Sequence, residues 1–72
     1  MNTIEDLIIV KQIFQEEIED YQKERELLEE LKCESLSEDI VRIGELSNID
    51  SEMTILKSKI AFIDELISKE VK

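Results

Sequence analysis

Leu46, Ile49, Met53, Leu56, Ile60, Ile63 and Ile67 follow one another at steps of 3, 4, 3, 4, 3 and 4, which sets seven apolar side chains along one seam of a helix. Such a seam is stable only against a second helix. The chain offers one upstream. From Ile4 to about Lys32 no glycine or proline intervenes, and Leu7, Phe14, Ile18, Tyr21 and Leu28 recur at helical spacing with Ile4 and Val10 alongside. Thr3 is placed to accept from first-turn N–H groups, and Glu5 and Asp6 sit where a helix dipole favours negative charge. The pattern predicts a first helix over about residues 4–32, with its seam interrupted at heptad positions by Lys11, Arg25 and Lys32.

A connection is expected over about residues 33–37, because Ser35 with Glu38 fits a capping box and Ser37, followed by Glu38 and Asp39, is a rival N-cap. The second helix then covers about residues 38–70. Its early apolar stripe, Leu36, Ile40 and Ile43, is out of step with the ladder from Leu46 by about one residue, and Gly44 stands at the mismatch. A stammer, kink or short break is therefore expected near Gly44–Ser47, where Asn48 and Asp50 also lower helix propensity. Residues 37–43 as a separate short helix is the alternative. Two helices of similar length with a short connection fold back on each other. The expected fold is all-α, one coiled-coil-like antiparallel helical hairpin spanning residues 1–72, completed by oligomerisation or a partner. Pairs four residues apart, Glu19 with Lys23 and Glu65 with Lys69, add only ~0.2–0.5 kcal/mol each.

Composition sharpens this picture by removing other means of support. A chain of 72 residues has a marginal core, worth ~3–5 kcal/mol. With one cysteine and no histidine it has neither an internal disulfide nor a soft-metal ligand set. Association is the remaining source of stability. Cys33 reads as a reduced thiol of a cytosolic protein, with an intermolecular disulfide as the alternative. Met1-Asn2-Thr3 leads straight into Ile4 without a basic stretch, and the apolar run Leu7-Ile8-Ile9-Val10 is far short of the ~20 residues that span a bilayer. No signal peptide, membrane span or cofactor is expected, and the expected location is the cytoplasm. No Ser/His or Cys/His set and no phosphate loop is present, and a small hairpin has no cleft to perturb carboxylate pKa values. The expectation is a protein that is not an enzyme.

The net charge of −10 is unevenly placed. Residues 1–39 hold 13 acids and 4 bases, against 6 and 5 in residues 40–72. Glu16 to Asp20 and Glu24 to Glu34 are the densest stretches. Direct nucleic-acid binding is disfavoured by such a surface. The acid face has three readings: a solvated face that keeps the chain soluble, a steering surface for a basic partner, or a mimic of a phosphate backbone. Glu16 with Asp20 makes a poor hard-cation site, since the oxygen-rich loop and turn glycine of calcium sites are missing.

Each predicted helix also carries apolar residues off its seam: Ile9, Ile13, Leu27 and Leu31 on the first, Ile55, Phe62 and Leu66 on the second. A two-helix hairpin cannot bury both faces. With the chain turning near residue 35, Ile9 and Ile13 are expected level with positions 57–61, so Ile9, Ile13, Ile55, Phe62 and Leu66 would gather at the end remote from the turn. Those five are the candidate partner-binding residues, because contiguous exposed apolar area marks interaction sites. A homodimeric four-helix bundle would make the same residues core. Tyr21 is expected at the seam edge rather than as an active-site acid.

In size, acidity and hairpin pattern, closing on the segment Ile55-Leu56-Lys57-Ser58-Lys59-Ile60-Ala61-Phe62-Ile63-Asp64-Glu65-Leu66-Ile67, the chain resembles the small co-chaperones of type III secretion needle subunits. The resemblance covers pattern over most of the chain and brings no diagnostic motif. It implies a cytoplasmic protein that pairs with a larger helical-repeat chaperone, the two holding an aggregation-prone needle subunit until export. No residue role carries over. Two other functions fit the same residues: an acidic inhibitor or antirepressor that blocks a regulator or nuclease through Glu24, Glu26, Glu29 and Glu30, and a structural homodimer.

Overall fold

A computed structural model describes residues 3–71, which form α1 over Thr3–Glu30 and α2 over Leu36–Val71. The helices pack side by side and antiparallel, so the fold is the all-α helical hairpin that two facing seams require.

The buried side chains are Ile49, Met53, Leu56 and Ile63, all rungs of the α2 ladder, with Leu56 only 4% exposed. α1 buries none of its residues fully. It faces the ladder with Ile4, Leu7, Phe14, Ile18, Tyr21 and Leu28, each half-exposed. Bulky side chains such as Phe14 and Tyr21 cover the α2 seam while their own outer edges stay in water.

Lys11 and Arg25, which interrupt the α1 seam in the sequence, close its edge in the structure. Lys11 Nζ lies 2.7 Å from Asp64 and Arg25 Nε lies 2.8 Å from Asp50. The two bases and the two acids are each fourteen residues apart, two heptads on either helix, so both pairs demand one antiparallel register. Their aliphatic stems meanwhile lie along the apolar seam. The Glu19–Lys23 and Glu65–Lys69 pairs are not closed among the described residues.

α1 ends at Glu30, about two residues before the expected boundary. Its last turn holds Glu29 and Glu30 and no base, the wrong sign for the negative end of a helix dipole, and Lys32 comes too late to help. A tightened final bond, Leu31 N–H to the Leu28 carbonyl at 3.3 Å, closes the helix. Ser35, not Ser37, caps α2: its Oγ accepts from Glu38 N–H at 3.2 Å, and the Glu38 carboxylate accepts from Glu34 N–H at 3.0 Å. The connection is therefore residues 31–35, without helix, rather than 33–37. In the register set by the Lys11–Asp64 and Arg25–Asp50 pairs, α2 overhangs the end of α1 by about two turns, about one turn from the expected alignment.

The interruption expected near Gly44–Ser47 does not occur, and there is no separate helix over residues 37–43. α2 is continuous for 36 residues, about 54 Å at the helical rise, in a molecule 56 Å long. The stripe Leu36, Ile40 and Ile43 never joins the seam. It stays in water, with Leu36 75% exposed, while Asp39 and Arg42 take the seam positions and pair at 2.8 Å. No shift of phase is needed. Gly44 has ordinary helical φ, and a Cβ on it would meet nothing within 4 Å.

The molecule is a rod of 56 × 14 × 14 Å whose radius of gyration, 16.7 Å, exceeds the ~11 Å of a compact chain of this length. Its accessible surface is 5688 Å², against roughly 4,700 Å² for a folded monomer of 8.5 kDa.

Two stability changes follow. Gly44→Ala should stabilise by about 1 kcal/mol and raise the midpoint of a circular-dichroism melt by roughly 4–8 °C; an unchanged or lower midpoint would mean that α2 bends there. Leu56→Ala should cost ~2–4 kcal/mol, most of the stability of so small a core. A variant that melts with the wild type would show that the ladder is not the core.

Candidate partner-binding surface

A hairpin has two open flanks where the helices meet, and here they differ in chemistry. The first flank carries the cross-helix ion pairs Lys11–Asp64 and Arg25–Asp50, with Glu29 also bound to Arg25. The Arg25 pKa is raised, first by the hydrogen bond to Asp50 and then by the charges of Asp50 and Glu29. A base whose pKa is raised by folding stabilises the fold until pH climbs through that raised value. The guanidinium half of this clamp therefore holds across the whole neutral range.

Among the described residues the second flank has no such clamp. Lys59 Nζ sits 5.5 Å from the centre of the Phe14 ring, and Phe14, Ile55, Lys59 and Phe62 line a shallow groove with Thr54, Ser58 and Ile63. Ile55 is 47% exposed and Phe62 60% exposed, well beyond what a core position shows. Further toward the turn, Glu17, Asp20, Tyr21 and Glu24 line a second depression. Closest to the turn, Leu28, Leu31 and Val41 line a third together with Lys32, Cys33, Glu38, Arg42 and Glu45.

Of the five residues proposed from sequence, Ile55 and Phe62 meet in the Phe14 groove. Ile13 is exposed toward the same flank by its helical position, two steps out from the seam in line with Asp20, but does not line that groove. Leu66 is half-buried at the seam edge, and Ile9 faces outward from the back of α1. The register set by Lys11 and Asp64 places Ile9 and Ile13 level with about residues 66 and 62, one turn beyond the expected 57–61. The pairing of Lys11 with Asp64 and of Arg25 with Asp50 holds the helices in that register.

Phe14 and Lys59 belong to the groove and were not picked out by the off-seam pattern, because Phe14 is itself a seam residue and Lys59 is charged. The carboxylates of the inhibitor reading do not form one row. Glu26, Glu29 and Glu30 share one side of α1, where Glu29 is engaged by Arg25, and Glu24 lies on the opposite side with Glu17. Tyr21 is half-buried at the seam edge as expected. Cys33 is a free, half-buried thiol. Among the described residues no group of three or more histidine, cysteine or acidic side chains is arranged to hold a metal, and no helix is long and apolar enough to cross a membrane.

Comparison with protein-family models, curated proteins and solved structures finds no match to this chain.

The ion-pair register is open to a direct check. Lys11→Glu should lower stability by up to about 1 kcal/mol, and adding Asp64→Lys should recover most of that loss in urea unfolding. A double variant no more stable than the sum of its single changes would place Lys11 and Asp64 apart.

Proposed function

We propose that this chain is a non-enzymatic protein-binding module, a small acidic co-chaperone or adaptor of the kind that serves type III secretion needle subunits in the cytoplasm. One observation carries the reading: the hairpin exposes about 1,000 Å² more surface than a compact monomer of its mass, close to the ~800 Å² that one partner contributes to a stable interface. Large apolar residues stand exposed on that surface, Ile55 and Phe62 among them. Its binding residues are Ile55 and Phe62, flanked by Ile13 and Leu66, with Ile9 at the margin. The needle-chaperone assignment rests on the resemblance in size, charge and hairpin pattern. The inhibitor reading is weakened by the division of its carboxylates between opposite sides of α1.

Phe62 provides the test, because it is exposed and its replacement leaves the α2 ladder intact. Phe62→Asp should keep the helical circular-dichroism spectrum and the monomeric sedimentation of the wild type. It should also lose at least about ten-fold in affinity for the partner that co-purifies with the wild-type chain from its native cell. Partner binding that survives Phe62→Asp but is lost on Glu26→Lys with Glu30→Lys would favour the inhibitor. A wild-type dimer that Phe62→Asp dissociates would favour the structural homodimer.

A further inference from the structure

The three depressions on the second flank lie in line along α1, from Phe14 through Tyr21 to Leu28. Fourteen residues separate the outer two of these side chains, about 21 Å along the helix. Apolar side chains mark both ends, with Lys59 beside Phe14 at one and Lys32 and Arg42 beside Leu28 at the other, and the middle is acidic. Between Phe14 and Leu28, α1 sets Glu17, Asp20 and Glu24 on this flank and no base. Of its bases in that interval, Lys23 lies on the back of the helix by its spacing and Arg25 is turned to Asp50 on the other flank.

We infer that this flank is a groove for a basic amphipathic helix of about four turns, with apolar anchors at both ends and Lys or Arg across its middle turns. The inference rests on the proposed protein-binding role and names the chemistry of the partner. An apolar residue would enter beside Phe14, Ile55 and Phe62, and another, about fourteen positions along, beside Leu28, Leu31 and Val41. The intervening bases would meet the carboxylates of Glu17, Asp20 and Glu24, which gives the docked helix its register and speeds its capture. A second copy of this chain fits poorly: placed about a two-fold axis through the middle of the groove, it sets this acid belt against itself. Nucleic acid and anionic lipid are repelled by the same carboxylates.

The test uses the full chain and two synthetic helical peptides of about 18 residues. Both carry leucines at the two ends of one face; the first has lysines across the middle of that face and the second has glutamates there. Fluorescence anisotropy should show the lysine peptide binding at least about ten-fold more tightly than the glutamate peptide, with the preference falling as salt rises. The triple variant Glu17→Lys, Asp20→Lys, Glu24→Lys should reverse the preference, a gain of binding that a misfolded chain cannot show. Phe62→Asp should weaken whichever peptide binds. Failure of the lysine peptide to bind, equal binding of the two, or a preference that survives the triple change would each overturn the inference. So would a wild-type dimer that the lysine peptide does not dissociate. A chain that shows no preference between peptides yet holds its native partner through Phe62 would keep the protein-binding role and lose this one.

Discussion

The seam between α1 and α2 is closed by two helices only, so each helix turns one side of its surface inward and leaves both flanks and its back to water. α2 resolves this geometry in favour of its ladder. Ile49, Met53, Leu56 and Ile63 are buried because the broad side chains of α1 lie across them, and α1 has nothing on its far side to return the cover. The high residual surface, the rod shape and the exposed Ile55 and Phe62 all derive from that arithmetic of two walls around one seam. A third helix laid on a flank is the smallest addition that would relieve it.

Register is the second constraint, and charge fixes it more sharply than apolar packing does. A ladder of isoleucine and leucine tolerates a slide of one heptad at modest cost, since the next rung is also apolar. Lys11 and Arg25 do not tolerate it, because such a slide carries each of them away from its acid. The bases on the seam weaken the core slightly and specify which seven-residue repeat faces which. With that register in place the second flank acquires its order of apolar end, acid middle and apolar end, so the chemistry of the candidate groove depends on two ion pairs on the opposite side.

Much of this was legible in the residues. The step pattern from Leu46 to Ile67 predicted the core, and Ser35 with Glu38 marked the start of α2 as one of two candidates. The break expected at Gly44 does not form, because the apolar stripe before it does not turn inward. Leu36, Ile40 and Ile43 remain exposed instead, since continuing α2 straight keeps every backbone hydrogen bond while a shift of phase would break some. α1 ends earlier than helix propensity predicts, because propensity gives no stop at Glu30 and the unfavourable acids in its last turn do. The candidate site was half visible. Off-seam spacing found Ile55 and Phe62, but the contribution of Phe14 depends on how its ring lies at the seam edge beneath Lys59, which spacing does not encode.

An open second flank beside a closed seam is the feature on which the functional reading turns, and solvent access to particular side chains reports it most directly. In a nuclear magnetic resonance experiment with a soluble paramagnetic probe, the Phe62 ring and the Ile55 methyls of the free chain should relax strongly, while Leu56 and Ile63 stay shielded. The contrast should hold as protein concentration is raised. Phe62 and Ile55 shielded as fully as Leu56 would contradict the account, because the flank would then already be covered by the chain itself or by a second copy of it.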